Sequence, residues 1–180
     1  MWYNKDMAQT VENRQENLDI IGSTEYVSIG KLDKIPAKID TGADSSSIWA
    51  SDIKVEEDGT LSFKLFDEKS PYYTGETIKS KEYTVSVIRS SNGNEQIRYR
   101  TTLLIKIDGH NVKASLTLAD RSRNNFPILI GRRTIAGRFL VDVSKAEVER
   151  PPRNSRTRPL NKELEEDPYK FHKKYMKKAK

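Results

Sequence analysis

The sequence predicts an all-β fold, a small closed or nearly closed barrel with one short helix. Two observations predict it. Apolar residues alternate with polar ones over many short runs, such as Ile35, Ala37, Ile39 and Leu61, Phe63, Leu65, which is the period of a half-buried strand. Between the runs stand the turn dipeptides Asp58-Gly59, Asn92-Gly93 and Asp108-Gly109, residues that suit tight hairpin connections.

In chain order, residues 1–18 form a polar arm that carries no strand or turn signal. Val27 and Ile29 share one face of a strand from Glu25, Gly30 to Lys34 turn the chain, and Ile35 to Ile39 return as a strand that delivers Asp40. Ile48 begins the way back into the core. Leu61 to Leu65 is a further strand, and Asp67 to Lys81 reads as an irregular polar excursion with Pro71 and Gly75. Tyr83, Val85 and Val87 alternate up to Ser90, and Ile97 to Ile107 alternate on the return, which puts Asn92 and Gly93 at the tip of a long hairpin.

A second hairpin turns at Asp108-Gly109 and continues through Val112, Ala114, Leu116 and Leu118; His110, at that turn, is expected in solvent. Phe126 to Ile130 is wholly apolar, as a strand buried on both faces would be. Gly131 ends it, Arg132 to Gly137 suit one or two helical turns, and Phe139, Val141 and Val143 make a last strand. The expected count is roughly eight short strands.

With 180 residues, the chain has length for one ordinary domain plus tails. Residues 19–145 are expected to form the barrel and residues 146–180 a basic, Pro- and Arg-rich tail, largely disordered or marginally helical. The formal charge of +6 sits in that tail: from Lys145 onward there are 12 Lys and Arg against 6 Asp and Glu, while the preceding chain has 20 of each. An acidic partner of the tail is one expectation; a solvated solubilising extension is the other. Nothing in the sequence resembles a nucleic-acid motif.

Cysteine is absent and only His110 and His172 supply imidazole. Thiol nucleophiles, disulfides and Cys-based zinc sites are therefore excluded, and no His-Glu-x-x-His spacing exists, so neither metal nor other cofactor is expected. No apolar run has the length of a signal-peptide core or a membrane span. A cytoplasmic protein without membrane contact is the expectation.

The stretch with chemistry in it is Ile35 to Ala50, IPAKIDTGADSSSIWA. A strand presents Asp40 at its end, and Thr41, Gly42 and Ala43 are small enough for backbone to come close to that acid. Asp-Thr-Gly alone is common in turns. The second stretch, FPILIGRR from Phe126 to Arg133, again runs apolar into a glycine, which suggests two loops meeting in one core.

From Ile21 to Ser144 the chain resembles the retropepsin-like aspartic proteases, in particular a bacterial branch often labelled ATP-dependent zinc proteases. The resemblance rests on AKIDTGADSSS, on LADRSRNNFPILIGR from Leu118 to Arg132 and on the closing FLVDVSK from Phe139 to Lys145. It implies an aspartic endopeptidase acting on a peptide or protein, with water activated by two Asp40 carboxylates, one from each subunit of a homodimer. It also implies a role for each neighbour. Thr41 bonds across to the facing loop, Gly42 and Ala43 line the substrate chain, and Asp44 receives substrate amides. Gly131 and Arg132 support the site, with Arg132 holding Asp44. Asn92 and Gly93 belong to the substrate-covering flap.

Relatives in that branch usually carry His where this chain has Trp49. The branch is associated with ligases that add amino acids, including glutamate chains, to protein ends, which implies trimming of acidic tails. Two other readings stay open: a catalytically inactive barrel serving as a binding or dimerisation module, and a basic adaptor working through its tail.

Overall fold

The computed structural model describes residues 18–89, 95–149 and 157–176. Among these lie eleven strands: β1 (Asp19–Ile21), β2 (Thr24–Ile29), β3 (Leu32–Asp40), β4 (Ser46–Val55), β5 (Leu61–Leu65), β6 (Thr77–Ser80), β7 (Tyr83–Arg89), β8 (Glu95–Ile107), β9 (His110–Ala119), β10 (Ile128–Gly131) and β11 (Phe139–Val141). A single-turn helix, α1 (Arg132–Ile135), follows β10. Six strands close on themselves in the order β10, β3, β2, β8, β9, β4 and back to β10. The chain is all-β and its centre is a closed barrel.

Alternation explains the closure. Val27, Ile35, Ala37, Ile48, Leu116 and Ile130 are fully buried, and Ile105 and Ile107 nearly or fully so, so each of the six barrel strands turns apolar side chains inward. The turn between β8 and β9 has Asp108 at φ 45° and Gly109 at φ 80°, the two left-handed positions that a two-residue hairpin of matching twist demands.

Several expectations need correction. The strand ending at Asp40 begins at Leu32, which shortens the turn before it to Gly30 and Lys31. The excursion from Asp67 to Lys81 is not wholly irregular, because Thr77–Ser80 pairs antiparallel with β5. The buried run starts its pairing at Ile128, and Leu129 is half-buried. Val143 lies beyond β11 and is exposed. The tip of the long hairpin, with Asn92 and Gly93, and most of the N-terminal arm lie outside the described residues.

The chain continues against the barrel past Lys145. Ser23 N and Oγ both donate to Lys145 O, Glu147 N donates to Thr24 O, and Thr24 Oγ1 donates to Val148 O at 2.8 Å. Residues 150–180 are a separate unit. Within it, α2 (Thr157–Glu166) and α3 (Pro168–Tyr175) form a helical pair, tied by Lys174 Nζ and Tyr175 Oη on the two oxygens of Glu163 at 2.7 and 2.9 Å.

Candidate active site

β3 and β10 lie side by side and parallel, with Ile39 opposite Ile130 and Asp40 opposite Gly131. The same β10 pairs antiparallel with β4, Ile128 opposite Ile48. The loop from Thr41 to Ser45, which joins β3 to β4, is therefore bent around the end of β10. Only a residue without a side chain fits at that end: a Cβ on Gly131 would stand 2.6 Å from Ser45 O and 2.8 Å from Ala43 O.

Hydrogen bonds fix the two loops to each other. Arg132 N donates to Ala43 O at 2.8 Å and Arg133 N to Asp44 O at 3.3 Å. Gly131 N donates to Ser46 Oγ at 3.0 Å, and Ser46 Oγ shares a 2.8 Å bond with Thr134 Oγ1. Ser46 and Thr134 are both buried. Backbone held on both sides in this way gives Asp40 a rigid mount.

Asp40 itself is half-buried. Gly42 N donates to its Oδ1 at 3.1 Å, and Lys38 Nζ stands 3.5 Å from Oδ2. Thr41 and Gly42 are exposed. Asp44 is held by Arg132 through its Nη2 and Oδ1 atoms, and this guanidinium holds the Asp44 carboxyl below the usual carboxylate range. The pair forms as the resemblance implies, but it is exposed in the single chain, with side chains 57% and 63% accessible.

Trp49 is buried and meets the Phe66 ring edge-on at 6.1 Å. It belongs to the core. Among the described residues no group of three or more His, Asp or Glu side chains is placed to hold a metal ion.

Above the Asp40 loop lies a cavity of about 600 Å³. Gly42 to Ser45, Ser47, Thr117 and Leu129 form one side of it, and Ser86 to Arg89 with Arg98 and Arg100, from the β7–β8 hairpin, form the other. The hairpin flanks thus cover the loop, whereas its tip is outside the described residues. Arg121 and Arg133 complete the lining. Sequence reasoning missed these arginines. Arg98 and Arg100 alternate with Ile97 and Tyr99 in the sequence, and Arg121 stands within the stretch that carries the resemblance.

Burial pulls Arg121 below its ordinary value, Arg98 adds repulsion, and Asp40 works the other way. Burial alone pulls Arg98 down. Arg89 is paired with Glu95, while Arg98, Arg100 and Arg121 have no acidic partner within ion-pair distance among the described residues. The site is a carboxylate on a rigid mount beside a cavity of unneutralised guanidiniums.

The chain is similar to several known proteins. A probable alpha-L-glutamate ligase of Shewanella halifaxensis (strain HAW-EB4) is 33% identical over 136 residues, 73% of this chain and 30% of the ligase. One from Desulfotalea psychrophila (strain LSv54 / DSM 12343) is 30% identical over 128 residues, 68% of this chain and 28% of the ligase. The chain thus spans less than a third of these relatives. A crystal structure of Lpg0085 from Legionella pneumophila, a protein of unknown function, is 26% identical with a TM-score of 0.57, over 71% of this chain and 95% of that one. Residues 20–152 match the RimB-like family, described as retropepsin-like aspartic endopeptidase RimB, and the chain belongs to that family.

Proposed function

We propose that the chain is one subunit of an aspartic endopeptidase that cuts acidic peptide segments, with Asp40 contributed by each of two copies. The observation that supports the chemistry is the mount of Asp40: a strand end locked to Gly131, with the Gly42 amide on one carboxylate oxygen. Peptide hydrolysis without a covalent nucleophile needs one carboxylate to take a proton from water and one carboxylic acid to polarise the carbonyl. Two facing aspartates do this because charges so close share one proton. The water oxygen bonds to the carbonyl carbon, the C–N bond breaks, and the leaving nitrogen takes up a proton.

Within the chain, Asp44 is turned to Arg132, which supports a second aspartate supplied by a second copy. Thr41, exposed beside Asp40, is free to bond across to that copy. Asn92 and Gly93 retain the flap role that the resemblance implies.

The cavity supports the substrate class. Guanidinium groups without carboxylate partners favour a ligand that brings carboxylates, and a fork-to-carboxylate contact has direction as well as charge. Two relatives are named as ligases of alpha-L-glutamate, and a chain of glutamates is the kind of product this cavity complements. The test compares cleavage of a glutamate-rich peptide with that of its glutamine counterpart. The acidic peptide should be preferred, and Arg98→Gln should raise its KM by roughly tenfold or more, as for loss of one charged hydrogen bond. Equal cleavage of the two peptides would sink the substrate class and leave the aspartic chemistry standing.

A further inference from the structure

The cavity holds more cationic donors than one peptide can satisfy. Side chains on one face of an extended peptide recur about every 6.6–7 Å, so a substrate strand brings one or two carboxylates to this space at a time. Against that stand Arg98 and Arg100 from β8, Arg121 from the segment after β9 and Arg133 from α1, which come from three different elements. The cavity's own acid, Asp44, is taken by Arg132.

Two polar atoms at the cavity have no partner at all. Ser47 is 6% exposed and its Oγ makes no hydrogen bond, and Arg100 Nε is likewise buried and unpaired, although Arg100 Nη2 donates to Ser45 Oγ at 2.9 Å. Both residues line the same space. Buried polar atoms without partners, beside half-buried guanidiniums without anions, are costly to keep. A bound polyanion supplies the missing counter-charge.

We propose that this cavity binds oligophosphate, the phosphate chain of a nucleoside polyphosphate or of free inorganic oligophosphate, and that the bound anion keeps acidic peptide out. A planar carboxylate is saturated by one or two guanidinium forks in its own plane. A phosphate group presents oxygens tetrahedrally and accepts from donors on several sides, as arginines from three elements require. Successive phosphates also carry their charges closer together than successive glutamates do. The volume, about 600 Å³, is that of an ordinary small-molecule site. Binding of oligophosphate rests on the cavity alone and is separate from the peptidase reading, on which the exclusion of acidic peptide rests.

The test is calorimetric titration of the full chain, and of its Asp40→Asn variant so that no turnover is involved, with inorganic triphosphate. Binding should occur at one triphosphate per chain and weaken as salt rises. Arg98→Gln and Arg121→Gln should each weaken it about tenfold or more, while Lys173→Gln, which removes a charge in the separate C-terminal unit, should not. Circular dichroism of each variant shows that it is folded. ATP matching triphosphate identifies a nucleoside polyphosphate as an acceptable source, and ATP binding far more weakly identifies the inorganic chain. Absence of triphosphate binding, or equal loss with Lys173→Gln, would overturn the proposal.

Discussion

Gly131 lies directly opposite Asp40 in the parallel pairing of two strands, at a point where an added Cβ would come within 2.6 Å of the Ser45 carbonyl oxygen. The obstructing atoms are backbone, which cannot swing away as a side chain can. Gly131→Ala should therefore force the Asp40 loop off its mount and cost about 1–3 kcal/mol or more of stability. Urea unfolding measures it. A loss within a few tenths of a kcal/mol would show that the loop has room to yield.

Ser46 holds the same junction from within. Its Oγ accepts from Gly131 N and bonds Thr134 Oγ1, all buried. Ser46→Ala strands an amide and a hydroxyl and should cost about 1–3 kcal/mol. Thr134→Val on top of it should add less than it costs alone, because the hydroxyl it removes is already unpaired. Strict additivity in the four-protein cycle would contradict this.

The fold was largely legible in the sequence, and the reason is periodicity. Ile35, Ala37 and Ile39 announce a buried strand face whatever else the chain does, and Asp108-Gly109 has few alternatives to a hairpin. β6 was not legible, since Thr77 to Ser80 contain one apolar residue and are exposed or half-exposed, so pairing with β5 decides their conformation. In the site, Asp40, Gly42, Gly131 and the Asp44–Arg132 pair were readable by resemblance. The arginines were not. Arg98 and Arg100 alternate with Ile97 and Tyr99 as solvent-facing residues do, and only the position of the hairpin over the Asp40 loop turns that face into a cavity wall.

Glu25 gives a pH dependence of stability. Burial pushes its carboxyl above the ordinary 4.5, against the hydrogen bond from Gly22 N and with help from Glu147 and Asp108. A raised folded value means that the folded chain holds this proton more tightly than the unfolded chain. Its stabilising contribution is thus present below the unfolded value and lost as pH rises through the folded one. Relative to Glu25→Gln, the unmutated protein should lose ground in urea midpoint as pH rises above the ordinary carboxylate range. Asp142, lowered by the Ser144 hydroxyl and amide, should behave oppositely, its contribution being lost on acidification. Parallel pH profiles for the unmutated protein and Glu25→Gln would contradict the assignment.

Arg132→Ala and Asp44→Ala should each change the unfolding midpoint little, since the pair is exposed in the single chain and exposed ion pairs contribute little. Activity should fall in both, because Asp44 loses its orientation or is itself lost. A strong coupling in stability at high protein concentration, absent on dilution, would show that a second copy buries the pair.

Mixing subunits tests the shared Asp40 site most directly. The rate of cleavage of a glutamate-rich peptide is measured at a fixed amount of unmutated protein, well above the concentration at which copies dissociate, as folded Asp40→Asn protein is added. Asp40→Asn alone should be slower by about a thousandfold or more. At equal amounts, about a quarter of the dimers keep both aspartates, so the rate should drop to about half of its starting value. A rate that stays constant as Asp40→Asn protein is added, or an Asp40→Asn protein that cleaves at the unmutated rate, would contradict a site built from two copies of Asp40.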